Sequence, residues 1–385
     1  VNYVASYVTK FSANHYFAID GIEMSYIMAA TPDEGGIIEL YTSHHIAMSN
    51  LYIHGWQMPG SGPRTDGAHG GIVVYSYDDV AADAPTVTLT DSVIENSENT
   101  GSNTQTGLAA RFIGVMTRVT IHDVHCAVLF TIDWNYGYQY NIGYPGGNVS
   151  PGAEPFHGNG VYMDPSTLGQ STGYIRNSRF RDVSSNSQMA YPNIRAGATA
   201  YVYNNIFSGN ISSQGPIHVD PYNYCTGSMH VLPCEGPGNA VILNNVAYIY
   251  ATEEDTNEMI RIGDRSGAST GPQLVGNLTA NNNQVIGPSG TVLLSRPDLI
   301  SGTYTHLTNL IQTSAQATMQ GYDEAHLWAP QNGSGDTVDT GTDESGTFTN
   351  TIDGTTRTGT FDIGPHEWVP AVNPSGANRE RMHGH

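Results

Sequence analysis

Apolar residues fall in short alternating runs separated by stretches rich in glycine, asparagine, serine and threonine, and no sustained stripe of 3.6-residue period appears. This pattern predicts short β-strands and few helices. Two kinds of segment alternate. The first has the form apolar-x-polar-Asn/Asp-x-x-apolar: MSNLYI (48–53), LTDSVI (89–94), IHDVHC (121–126), IRNSRF (175–180), VYNNIF (202–207), ILNNVA (242–247) and NNNQVI (281–286). Its polar anchors are read as Asn50, Asp91, Asp123, Asn177, Asn204, Asn244 and Asn283. The second kind is a short β-rich strand between anchors: GIVVYSYD (71–78), LAARFIGV (108–115), AVLFTID (127–133), GVYMD (160–164), NIRAG (193–197), PIHVD (216–220), MIRIGD (259–264) and TVLLSR (291–296).

Steps between anchors run from 27 residues (Asn177 to Asn204) to 54 (Asp123 to Asn177). Coils of constant cross-section with loops of variable length at the turns fit such spacing, and repeats of fixed period do not. A recurring asparagine also has a physical use, since it tolerates left-handed backbone at a corner and can stack its amide on the next one. The predicted fold is therefore all-β: a single-stranded right-handed parallel β-helix with long loop insertions, its coils stacking from about residue 40 to about 310. Residues 1–311 are expected to form this body with an N-terminal cap, 312–368 to cover the last coil, and 369–385 to be an extended tail. One place breaks the alternation: 127–133 and 160–164 follow each other with no anchored strand between, so 134–156 reads as a long excursion.

The anchored segments and the ending RTGTFDIGPHEW (357–368) resemble the pectate-lyase-like superfamily of right-handed β-helices, in which secreted members often close on a similar Asp-Ile-Gly-x-x-Glu phrase. The resemblance covers most of the chain and is architectural. It implies a scaffold shared by polysaccharide lyases, glycoside hydrolases, epimerases, tailspikes and adhesins, without selecting among them.

The balance of 14 Lys and Arg against 35 Asp and Glu gives a net charge of −21, which argues against nucleic acid or an anionic membrane surface as partner. No apolar run is long enough to span a bilayer, so membrane insertion is not expected. Lys10 is the only lysine. Cys225 and Cys234 lie in a loop-like stretch where one disulfide can close, which suits an oxidising, extracellular or cell-surface location, while Cys126 reads as a small buried residue. The chain starts at Val1 and is read as a processed, mature product.

Alternation along the second strand set sends Tyr162 and Asp164, Asn193 and Arg195, His218 and Asp220, and Arg261 outward, with Asp133 a further candidate. Stacked coils would bring these into one exposed ladder. Asp164 and Asp220, two coils apart, are candidate acid and base, with Arg195 between them to hold an acidic sugar or stabilise developing charge. His157 and His218 are candidate proton carriers. Tyr162, Arg261, Trp134, Tyr138 and Asp133 are candidate substrate-binding groups, and the excursion aromatics Trp134, Tyr136, Tyr138, Tyr140 and Tyr144 are read as a stacking wall for sugar rings. Asp78 and Asp79 are candidate calcium ligands without a calcium-loop signature. His44 and His45, as strand neighbours, are expected to face opposite ways and not to share a metal.

Two functions follow as expectations. One is a secreted carbohydrate-active enzyme, a polysaccharide lyase or glycoside hydrolase whose groove runs along one wall. The other is a non-catalytic extracellular protein, an adhesin or fibre subunit that assembles with copies of itself through its tail and open ends.

Overall fold

The computed structural model describes residues 4–5, 9–12, 15–25, 28–29, 36–41, 43–57, 72–77, 86–98, 108–111, 113–124, 126–142, 160–163, 170–183, 192–195, 199–209, 215–220, 238–249, 257–262 and 275–369. Described strands form a twenty-stranded and a ten-stranded sheet, and every pairing between named strands is parallel or continues a parallel ladder. Among the described residues helix is confined to short pieces, the α-helix Ser314–Met319 and 3-10 turns such as Pro297–Leu299 and Glu324–His326. No helix among these residues is long and apolar enough to cross a membrane.

The chain visits the two sheets in turn, giving a β-helix-like solenoid. One coil shows the plan: Cys126–Thr131 lies in the ten-stranded sheet, Asp133–Asn135 and Tyr138–Ile142 in the larger one, and Val161–Met163 opens the next coil in the smaller sheet. Each anchored segment is thus two arms meeting at a corner, so a coil has three strands where the sequence pattern shows two. Alternate residues of all three point inward, and Ile53, Ile94, Ile121, Val128, Val161, Ile175, Ile194, Val202, Ile217, Ile242 and Ile260 build a continuous interior.

The corner is a residue with positive φ, and its place is held through ten coils: Gly21, Asn50, Asp91, Arg118, Tyr136, Asn177, Asn204, Asn244, Asn282 and Thr308. The flanking register confirms that they stack, for Thr90 pairs with Thr117, Thr117 with Asn135 and Asn135 with Arg176 on one side. Asparagine and aspartate suit this backbone, whereas Arg118, Tyr136 and Thr308 are held there by the coils above and below. Two anchors therefore move. The corner of the coil containing Asp123 is Arg118, and the last asparagine corner is Asn282, with Asn283 its interior neighbour. Asp123 belongs to a second left-handed column with Asn141, Asp182 and Gly209. A Cβ on Gly209 would sit 2.2 Å from Asp182 Oδ1, which explains the glycine.

The residue after the corner does separate work. In coil after coil its side-chain oxygen accepts a backbone N–H from the coil before: Ser92 from Leu51 (3.0 Å), Ser178 from Gly137 (3.0 Å), Asn205 from Ser178 (3.0 Å), Asn245 from Asn205 (3.0 Å), Asn283 from Asn245 (3.1 Å) and Asn309 from Asn283 (2.9 Å). Asn205, Asn245 and Asn283 also donate to the carbonyls of Ile175, Val202 and Ile242 at 2.9 Å. This buried ladder satisfies groups that the bend takes out of the strand pairing.

The first part of the supposed excursion, residues 134–142, carries the two arms of a coil, hidden in the sequence because its corner is Tyr136 and not an asparagine, and 143–156 lie outside the described residues. Trp134 is fully buried in the interior, which removes it from any stacking wall. A Cβ on Gly137 would come within 2.2 Å of its ring. The stack also starts earlier than expected: Thr9–Ser12, His15–Asp20 and Glu23–Ser25 already pair with Gly36–Tyr41, His44–Ser49 and Tyr52–Gln57. The C-terminal segment lies along the flank of the stack. Ala317, Tyr322, Trp328 and Ile352 pack on Ile206, Val246 and Ile286, while Phe348 and Phe361 pack on Tyr203 and Leu243.

Two interior amides should respond in opposite directions. Asn245→Ala strands the Asn205 N–H and the Val202 carbonyl and should cost about 1–3 kcal/mol for each group left unpaired. Gln139 is fully buried with neither amide atom hydrogen-bonded, so Gln139→Met should raise stability by about 1–3 kcal/mol. Urea and thermal unfolding of the two variants check the signs.

Candidate functional site

The register of the ten-stranded sheet places Tyr162 beside Asn193, Asn193 beside His218 and His218 beside Arg261, and in the next column Arg195 beside Asp220. The intervening Val161, Met163, Ile194, Ile217, Val219, Ile260 and Ile262 are buried, as alternation requires. By backbone register, Tyr162, Asn193, Arg195, His218, Asp220 and Arg261 thus stand on adjacent coils. Asp164, His157, Asp78, Asp79, Cys225 and Cys234 lie outside the described residues. His218 is only 3% exposed, so it is not an open groove floor. Arg261 is half-buried and stands 3.9 Å from the Glu258 carboxylate, which also accepts from the Ser295 N–H at 3.0 Å and from the Ser295 hydroxyl.

Asp133 and Tyr138 sit on the other sheet and do not extend this wall. Asp133 is in register with Val115 and Tyr174, and its carboxylate is held by Arg176 through Nη2 at 2.6 Å and Nε at 3.1 Å. Arg176 also donates to the Tyr203 hydroxyl at 3.3 Å. The paired carboxylate and the hydroxyl raise the Arg176 pKa further above its ordinary value, although burial, the largest single influence, acts to lower it. This is a locked structural pair.

A denser cluster stands on the second arms of the large sheet; it contains Tyr138 and Tyr140, expected as sugar-stacking groups, together with Tyr52, His54, Glu95 and His122, which sequence reasoning missed. His54, Glu95, His122 and Tyr140 are in register on four successive coils, with Tyr52, Val93, Thr120 and Tyr138 beside them. The alternating Ile53, Ile94, Ile121 and Gln139 are buried, so the polar residues face out. The Glu95 carboxylate lies 2.6 Å from His122 Nε2 and accepts from the Tyr52 hydroxyl, and Asp123 lies 2.7 Å from His122 Nδ1 and accepts from Asn141. Tyr140 stacks on His122 with centroids 4.3 Å apart, Tyr138 leans on Tyr140 at 4.8 Å, and Tyr52 stacks on His54 at 4.3 Å. His54 reaches Glu23 at 3.0 Å. Burial, reinforced by Asp123, Tyr138 and Glu95, raises the Tyr140 hydroxyl above the usual phenol range, keeping it a neutral donor. For Tyr52 and His122 the clue was present only as unremarked outward positions in MSNLYI and IHDVHC, and their neighbours across coils become visible once the register is known.

Another polar centre explains the closing DIGPHEW phrase. Arg357 is fully buried between Phe348 and Phe361 and donates to the carbonyls of His366 (3.1 Å) and Gly364 (2.8 Å), to Glu367 Oε2 (3.2 Å) and to the corner amide of Asn204 (3.1 Å). Asn244 donates to the carbonyls of Asp362 (2.9 Å) and Gly364 (3.1 Å), so the segment is pinned to the corner column. Burial pushes Arg357 down to about 10, Asp362 up to about 6 and His366 down to about 4. This is a clasp; its groups are committed to holding the flank.

No group of three or more His, Cys, Asp and Glu side chains among the described residues forms a metal centre. The chain matches no family model, no curated protein and no solved structure.

The clasp has a testable pH signature. His366, depressed in the fold, contributes stability above its unfolded pKa that is lost as pH falls through about 4. Asp362, raised in the fold, contributes stability at low pH that is lost as pH rises through about 6. The two trends oppose each other between pH 4 and 6.5. In His366→Asn only the Asp362 trend remains, so the variant's stability relative to wild type should rise on acidification from pH 7 to 4.5, as read from melting temperatures across that range.

Proposed function

We propose that the protein is a secreted, carbohydrate-active right-handed β-helix that binds polysaccharide along the wall carrying Tyr52, His54, Glu95, His122, Tyr138 and Tyr140. Right-handed winding follows from the strong preference of parallel crossover connections for that hand. The observation that carries the reading is the outward stack of aromatic faces, Tyr52 on His54, Tyr140 on His122 and Tyr138 against Tyr140, with Tyr52 39% exposed, set beside carboxylates and hydroxyls that can accept from and donate to sugar hydroxyls. The charge of this wall favours a neutral glycan over a polyuronate: Glu23, Glu95 and Asp123 converge on it and outnumber the exposed Arg179, in register with Tyr138. Arg118 is engaged by Asp91 at 2.5 Å, and Arg181, in register with Tyr140, by Asp182 at 3.3 Å and Glu324 at 3.4 Å. The pectate-lyase-like resemblance of the anchors and closing phrase supports the same class.

A second reading, a non-catalytic extracellular adhesin or fibre subunit, is favoured by a specific feature. Both ring nitrogens of His122 are occupied by carboxylates, which orients the ring but leaves neither nitrogen aimed outward as a general base.

Affinity electrophoresis on a polysaccharide panel, together with a reducing-end assay and absorbance of unsaturated uronates, tests the proposal. Wild type should be retarded by at least one neutral polysaccharide, and Tyr52→Ala and Tyr140→Ala should each weaken binding about tenfold, in line with the loss of one stacking contact at roughly 1.4 kcal/mol. Retardation without any product selects the non-catalytic reading. Binding to none of the panel, or binding indifferent to both substitutions, overturns the assignment.

A further inference from the structure

Separate from that wall, a cluster of imidazoles lies on the first coils. His15–Asp20 pairs in parallel with His44–Ser49, which sets His15 beside His44, and the rings stack with centroids 3.8 Å apart. Tyr16 and His45 occupy the next position and both have positive φ, 58° and 57°. Left-handed backbone breaks strand alternation, so two consecutive side chains need not leave on opposite faces. The expectation that His44 and His45 face apart therefore fails here: their Nδ1 atoms approach to 2.5 Å. His45 is exposed and His44 partly so, and the Tyr16 ring stacks on His45 at 4.4 Å.

Two imidazole nitrogens aimed at each other cannot both present lone pairs at that distance. One proton can lie between them, or a cation can. A divalent transition metal bound at about 2.0–2.1 Å to each nitrogen would separate them to roughly 3 Å, a movement that small changes of side-chain torsion supply. We propose that His44 and His45 form a two-histidine chelate for a borderline divalent transition metal, of the copper, nickel or zinc class, through their Nδ1 atoms, with water completing the coordination. Neutral imidazole suits these metals, and hard ions such as calcium and magnesium prefer oxygen donors. The stacked His15 and Tyr16 rings hold the two ligands from behind. The main-chain N–H of His45 is fixed by Thr86 Oγ1 at 2.7 Å, which steadies the left-handed residue that makes the convergence possible.

The test uses the full chain and Cu2+ alone as probe, followed by isothermal titration and electron paramagnetic resonance. His45→Asn keeps a residue that tolerates positive φ, and His44→Gln removes the other ligand. Each should bind one equivalent less than wild type and lose the nitrogen hyperfine signature of the paired site, with an unchanged far-ultraviolet circular dichroism spectrum. His326→Gln, far from the cluster in sequence and paired with Asp323, should leave both readouts as in wild type. Equal stoichiometry and spectra in wild type, His44→Gln and His45→Asn would overturn the assignment, as would a wild-type protein that shows no saturable Cu2+ binding.

Discussion

Everything in this molecule depends on a sharp bend that recurs once per coil at a residue in left-handed backbone. A bend of that kind takes peptide groups out of strand pairing, and a buried peptide group must find a partner or cost about 1–3 kcal/mol. The side chain following the bend supplies that partner. From Asn205 to Asn309 each amide accepts from one coil and donates within the stack, so adding a coil completes the hydrogen bonds of its neighbour. The regular column of corners then fixes the register of both arms and, through them, of the whole interior.

This division of labour explains why the anchors were legible. Asparagine and aspartate are among the few side-chain-bearing residues that adopt positive φ readily, so Asn50, Asp91, Asn177, Asn204 and Asn244 announce their corners. Arg118, Tyr136 and Thr308 do not, because no local preference marks them; the coils on either side impose the conformation. The coil around Trp134 was invisible for that reason, and its buried indole was misplaced on the surface. The double asparagines of VYNNIF and ILNNVA and the triple in NNNQVI likewise hid two roles, corner and interior ladder, within one motif.

Inward and outward positions were also legible, since alternation is a property of one strand. Which outward residues meet was not, because loops of unequal length separate successive coils and sequence distance carries no information about the contact. His122 touches Glu95 and Tyr140, residues 27 and 18 positions away, only because three corners stack. The same reasoning separates the ladder on the smaller sheet, whose register follows the alternation, from Asp133, whose strand belongs to the other sheet. His218 shows the remaining gap: alternation assigns a face, while burial depends on what covers that face.

The stacking of coils at a fixed rise is the claim from which the corner column, the interior ladder and both surface clusters descend. Double electron–electron resonance between spin labels at Ala47→Cys and Thr305→Cys, in a background with Cys126, Cys225 and Cys234 replaced, measures it directly. These positions are linked by eight successive register pairs through Thr88, Val115, Asp133, Tyr174, Tyr201, Val241 and Thr279. At about 4.8 Å per step the backbones should stand roughly 38 Å apart, with a single narrow distribution widened only by the labels. A broad distribution, or a maximum far from that separation, would contradict the stack.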